Sequence, residues 1–298
     1  MMKGKPISVQ SVAKVLRPYL FIAPSITIFS IFMIYPIFYM IYLSFFKWDM
    51  MGEKMYLGLQ NYITLLSDQG FWQVIGNTFA YMALTVTFTI VLALFLALFL
   101  KSTSRINMVL QSAVFMPYII SFISISFIWM WMMDSSYGLF NYILGVFHIP
   151  VLHWLEDPKT AMLSLVIVAV WKSVGYNTII LISGMQSIPS YLYEAASLDK
   201  AKPSSVFFRI TLPMLSPTLF FLALVNIIAS LKVFETISIM TKGGPTNSTN
   251  TLVYYIYEYG FGYYKIGYSS AVGVILMLII GVITIFYFRA LSSKVHYR

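Results

Sequence analysis

The chain has 298 residues, 59% of them hydrophobic and only 10% charged, with 19 Lys and Arg against 10 Asp and Glu for a formal charge of +9. This composition excludes a water-soluble globular domain, in which about 25% of all residues are charged. The absence of cysteine excludes disulfides and thiolate metal sites as well.

Taken in chain order, the elements are apolar runs separated by charged connections. A basic segment, 1–18, carries Lys3, Lys5, Lys14 and Arg17. The first run, 19–46, is too long for the core of a cleavable signal peptide and lacks a small-residue cleavage site, so it is expected to remain in the protein. A connection with Gly58-Leu59-Gln60-Asn61-Tyr62, Phe71-Trp72 and Asn77-Thr78 follows. The runs 79–100 and 106–133 come next, joined by a short turn; both exceed the roughly 20 helical residues that cross a hydrocarbon core of about 30 Å. Pro117 and Tyr118 sit inside the second of these. The following loop holds His148 and His153, read as interfacial aromatics instead of metal ligands.

Two later runs contain charges: 161–182 is interrupted by Lys172, and 214–240 by Lys232 and Glu235. Charges in polytopic proteins face the bundle interior or a wet cavity, so both remain spans. Ser173 and Asn177 recur at i, i+4 on the first; Asn226, Ser230 and Val233 recur at i, i+4, i+7 on the second. Lys232 and Glu235, at i, i+3, are expected to neutralise each other on one helix face. A loop opening on Lys242-Gly243-Gly244-Pro245 and rich in tyrosine leads to the last run, 266–288, and a tail, 291–298. The runs are continuously apolar, which fits helices and not the alternating strands of a barrel. The expected fold class is an all-α membrane protein with six transmembrane helices over residues 19–290.

Lys and Arg set orientation. One side of the six-span arrangement holds Lys3, Lys5, Lys14, Arg17, Lys101, Arg105, Lys200, Lys202, Arg209, Arg289, Lys294 and Arg298; the other holds only Lys47, Lys54, Lys159, Lys242 and Lys265. Both termini and the connection at 183–213 are therefore expected in the cytoplasm, in contact with anionic membrane lipid. The basic residues are dispersed and form no nucleic-acid patch.

The connection 183–213 alternates helix and breaker signals. Pro189 suits a helix start, and Tyr191, Ala195 and Leu198 share one face at i, i+4, i+7. This helix is expected to end near Lys200. Pro203 forbids continuation, Ser204-Ser205 offers an N-cap, and Phe207, Phe208 and Ile210 form a second short apolar segment before Pro213.

Within that connection, Glu194, Ala195, Ala196, Asp199, Ala201, Phe207, Ile210, Leu212 and Pro213 stand in the register of the EAA loop. The chain thereby resembles the permease subunits of binding-protein-dependent ABC importers, in the carbohydrate branch that includes maltose-type permeases. Gly58-Leu59-Gln60-Asn61-Tyr62, Asn77-Thr78, Thr241-Lys242-Gly243-Gly244-Pro245 and Gly267-Tyr268-Ser269-Ser270-Ala271 extend the likeness over nearly the whole chain. One position departs: Lys200 stands where the family most often has glycine.

The resemblance implies the type I ABC importer permease fold, with cytoplasmic coupling helices, in the cytoplasmic membrane of a bacterium. Tyr191, Glu194, Ala195, Ala196, Leu198, Asp199, Lys200, Ala201, Phe207, Leu212 and Pro213 would dock on a separate ATPase. It further implies a second permease, two ATPase subunits that bind ATP and magnesium, and an extracytoplasmic solute-binding protein delivering a carbohydrate. This chain itself would hold no cofactor and catalyse no reaction. Tyr118, Ser173, Asn177, Asn226, Ser230, Lys232 and Glu235 are the substrate-path candidates, with an oligosaccharide favoured and glycerol-phosphate-type or acidic sugar ligands as the alternative. An ion-coupled secondary transporter is the rival, suggested by the intramembrane charges and opposed by the loop.

Overall fold

A computed structural model describes Tyr19 and residues 21–291. The basic segment 1–18 and all but the first residue of the tail 291–298 lie outside the described residues. The chain begins with α1, Phe21–Leu43, followed by a small antiparallel hairpin, β1 (Phe46–Lys47) with β2 (Met55–Tyr56). Then come α2 (Gln60–Ser67), α3 (Gln69–Leu100), α4 (Arg105–Ile119), α5 (Phe122–Met132) and α6 (Leu139–Val146). The longest connection-free stretch of the second half is α7, Pro158–Gln186. It leads to α8 (Ser190–Leu198), α9 (Pro203–Met214), α10 (Ser216–Leu231), a wide turn α11 (Ile237–Thr241), α12 (Leu252–Tyr257) and α13 (Ile266–Leu291).

Four helices, α1, α3, α7 and α13, are long and apolar enough to cross a membrane unbroken, and six spans result when α4 with α5 and α9 with α10 each make one. The third span is thus not the straight rod expected over 106–133: it bends by 98°. Pro117 lies in the last turn of α4, Ile120 is extended at φ −71° and ψ 142°, and Ser121 Oγ accepts from Ile123 N–H to start α5. The fifth span bends by 64° at Leu215, where Pro213 and Pro217 flank the break. It unwinds again after Leu231, so the expected span over 214–240 is helix, break and turn.

Around α7 the bundle closes. The most apolar stretch of α7 is 67% buried by protein against 6% for α1, so α7 is the axis of the bundle and α1 its rim. That burial explains how α7 carries Ser164, Lys172, Asn177 and Thr178 without exposing them to lipid. Lipid tails are as apolar as leucine, so helix association here depends on close packing and interhelical hydrogen bonds. Along α3, Tyr81, Thr85, Thr89, Ala93 and Ala97 recur every four residues as a buried, mostly small stripe. On α7, Gly175 lets α4 approach so closely that a Cβ there would overlap the Val114 carbonyl oxygen.

At the end away from α8, the remaining family-like segments meet. Asn61 Nδ2 donates to the carbonyls of Ser44 (2.8 Å) and Phe46 (3.0 Å), closing α2 onto the end of α1. Asn77 Nδ2 donates to Asn247 O (2.7 Å) and Asn250 O (3.1 Å), and Thr78 Oγ1 accepts from Leu252 N–H (3.0 Å). These side chains satisfy loop carbonyls and the buried amide of Leu252.

Candidate functional site

A cavity of about 250 Å³ lies between α3, the elbow of α4 and α5, α7, and the broken end of α10. Tyr118, Ser173, Asn177, Asn226, Ser230, Lys232 and Glu235 all line it, as does Val233. Candidate residues from three spans therefore share one wall. Tyr81, Thr85, Phe122, Tyr176 and Thr236 add to the lining, with small or apolar Ala169, Val225 and Ala229 between them. Sequence reasoning missed these, though Tyr176 follows Ser173 by one turn and Tyr81, Thr85 and Thr89 form a polar stripe at four-residue spacing on an apolar helix.

Hydrogen bonding divides the lining into committed and open groups. Asn226 Nδ2 donates to Asn177 Oδ1 at 2.7 Å and to Leu222 O at 2.7 Å; Asn177 Nδ2 donates to Ser173 O at 2.9 Å and reaches Asn226 Oδ1 at 3.5 Å. The two amides clamp α7 to α10 and form a floor. Ser173 Oγ donates to Ala169 O at 2.7 Å and lies 3.2 Å from Thr89 Oγ1, tying α7 to α3. The walls differ: Tyr118 and Tyr176 stack at 4.7 Å between ring centroids with planes 17° apart.

Lys232 and Glu235 do not neutralise each other as expected, for no ion pair joins them among the described residues. The reason is local: α10 ends at Leu231, Lys232 has φ −103° and ψ 16°, and the helical face that would have aligned i with i+3 is gone. Both side chains are exposed at the cavity edge. Lys172, whose role the sequence left open, is 5% exposed and points at the elbow between α4 and α5. Its Nζ donates to the carbonyls of Pro117, Tyr118 and Ile120, the last contact being the shortest.

At the far end of α7 stands the loop from Glu194 to Pro213. Leu192 and Tyr193 pack α8 onto a core with Ala97, Leu181, Met185 and Leu215, and Tyr193 Oη lies 3.2 Å from Thr211 Oγ1 of α9. The opposite face is bare: Tyr191 is 64% and Leu198 84% exposed, with Glu194, Ala195 and Asp199 exposed beside them. Ala196, Ala201 and Phe207 line a groove of about 470 Å³ behind this face. Ile210, Leu212 and Pro213 are half-buried where α9 turns into α10. The N-cap of α9 is Lys202, with Pro203 in the first turn, not Ser204 or Ser205 as expected. A proline whose missing N–H lacks an intrahelical partner anyway suits that position.

The C-terminus of α8 explains Lys200. Ala201 N–H bonds Ala196 O at 2.9 Å and Lys200 N–H bonds Ser197 O at 3.0 Å, with Lys200 at φ +50°. This is the Schellman arrangement, which places a left-handed residue, usually glycine, one position past the cap. Lysine keeps the geometry at a cost of roughly 1–2 kcal/mol. Lys200→Gly is therefore expected to raise the stability of the loop by up to about 1 kcal/mol, after the larger chain entropy of glycine is deducted, with transport preserved. Thermal unfolding of the purified protein and an uptake assay check this; loss of uptake would show that the ammonium itself is needed.

Six apolar spans around a partly polar cavity, with two short helices displayed at one end, define a membrane permease with the type I ABC importer fold. The chain belongs to the family described as the binding-protein-dependent transport system inner membrane component, which matches residues 89–297. It is 36% identical over 285 residues to the sn-glycerol-3-phosphate transport system permease protein UgpA of Agrobacterium fabrum, covering 94% of this chain and 96% of that protein. Among solved structures, it is similar to a chain of a bacterial ABC transporter involved in the import of the acidic polysaccharide alginate, with a TM-score of 0.84, 24% identity and coverage of 97% and 99%. The alginate transporter in complex with an alginate pentasaccharide-bound periplasmic protein gives a TM-score of 0.83 at 24% identity, covering 94% of this chain and 96% of that one.

Proposed function

We propose that this chain forms half of the translocation path of an ATP-driven importer for a polyhydroxylated ligand, a sugar or a glycerol-phosphate-type molecule. The observation that carries the proposal is the convergence of Tyr118, Ser173, Asn177, Asn226, Ser230, Lys232 and Glu235 on one cavity, with the bare α8 face at the opposite end of α7. Stacked tyrosines offer flat apolar surfaces to the C–H faces of a sugar ring, while Ser230, Lys232 and Glu235 offer polar groups to its hydroxyls. Asn177 and Asn226 are better suited to holding the wall, since their amide donors already serve each other. Glycerol-phosphate-type ligands are retained because the relatives named for that substrate align over nearly the full chain.

The chain would work with a second permease, two ATPase subunits carrying ATP and magnesium, and an extracytoplasmic solute-binding protein. Tyr191, Glu194, Ala195, Ala196, Leu198, Asp199 and Ala201 would meet the ATPase, with both termini on the same cytoplasmic side, as the Lys and Arg asymmetry indicates. The complex reconstituted in lipid vesicles tests this. ATP hydrolysis should rise when the binding protein is supplied with one member of a panel of neutral sugars, uronate oligomers and sn-glycerol-3-phosphate. Uptake driven by an ion gradient without ATP would overturn the proposal.

A further inference from the structure

No acidic side chain lies within ion-pair distance of Lys172 among the described residues; backbone oxygens hold its cation. Helix α4 stops at Ile119, and its last carbonyls lack intrahelical partners. Nζ of Lys172 meets Pro117 O (3.4 Å), Tyr118 O (3.0 Å) and Ile120 O, so all three ammonium protons have acceptors. A cation at the negative end of a helix dipole is favourable, most of all where water is excluded. The ammonium also lies 4.6 Å from the Phe122 ring centroid and 5.6 Å from that of Tyr118. Both rings line the cavity, and Tyr118 stacks on Tyr176, one turn beyond Lys172 on α7.

Helix α7 is continuous for 29 residues and runs from this contact to Gln186, four residues before α8 begins. A rigid helix transmits displacement along its length, and the elbow between α4 and α5 is a break able to take up a change of angle. Among the described residues, Lys172 is the only charged side chain joining α7 to that elbow.

We propose that Lys172 is a positioning residue that makes the elbow of α4 and α5 follow α7, so that movement of α8 repositions Tyr118 and Phe122 in the cavity wall. This rests on the importer reading above. A hydrophobic side chain of similar length would still fill the site and leave the elbow uncoupled. The test compares the whole reconstituted complex with Lys172→Met and Lys172→Arg, reading ligand transported per ATP hydrolysed. Met is expected to keep binding-protein-stimulated hydrolysis and to lose at least about tenfold in transport per ATP, while Arg, which also donates to several carbonyls, retains most of it. If the Met variant does not assemble, Lys172→Gln takes its place with the same readout. Wild-type transport per ATP in Met or Gln, or equal loss in Arg and Met, would overturn the proposal. Failure of the importer reading would look different, as no ligand would then stimulate hydrolysis in the wild-type complex.

Discussion

Leu198→Arg is expected to abolish uptake while leaving the permease itself folded. Leu198 is 84% exposed, so the chain loses almost no packing of its own, and surface substitutions of that kind change stability by about 0.5 kcal/mol or less. In the proposed docked state the same side chain would be covered with Tyr191 and Ala195, and an arginine would bring an unpaired charge into that contact. A central contact residue is worth on the order of 3 kcal/mol, or roughly a hundredfold in affinity. Co-purification of the ATPase with the permease should fall accordingly, and binding-protein-stimulated hydrolysis should fall with it. Normal co-purification and normal uptake would remove the α8 face from the docking surface.

The second large effect is expected inside the membrane. Gly175→Ala places a methyl group against the Val114 carbonyl, a backbone atom that cannot rotate away. Helices α4 and α7 must separate, and overpacking of this severity costs about 3 kcal/mol. The shift would also pull Lys172 from the elbow, one turn away on the same helix. Gly76→Ala on α3 is the matched control, because a Cβ there meets nothing within 4 Å. It should stabilise the helix by up to about 1 kcal/mol. Thermal unfolding of the two variants side by side separates the effects, and equal behaviour would mean that α4 and α7 are not in close contact.

How much of this was legible in the sequence depended on whether the signal was local. The ends of α3 at Leu100 and the start of α13 at Ile266 fell where expected because Lys101 and Lys265 interrupt otherwise apolar runs. The helix over residues 190–198 was legible because proline, helical spacing and the family register agree there, and its end near Lys200 was legible although lysine departs from that register. The cavity residues were legible in part, since polar side chains at helical spacing in an apolar span must face protein. What escaped was long-range or hidden by averaging. Hydropathy over a window stays high across Ile120 whether the chain is straight or bent by 98°, so Pro117 alone gave a weak hint. Lys172 finds its acceptors 52 to 55 residues earlier in the chain, and no local pattern encodes that meeting. The Lys232 and Glu235 pairing failed for the converse reason: spacing was read as helix where the chain unwinds.

If the cavity is the path of the ligand, a group attached to its wall must interfere with transport. The native chain has no cysteine, so Ser230→Cys introduces one thiol into the cavity wall with almost no change of shape. The measurement is uptake by the reconstituted complex before and after treatment with a small, charged thiol reagent, with modification of this chain read by mass. Normal uptake before treatment, block after it, and protection by ligand-loaded binding protein with ATP are expected. Complete modification with unchanged uptake, or no modification during turnover, would contradict it.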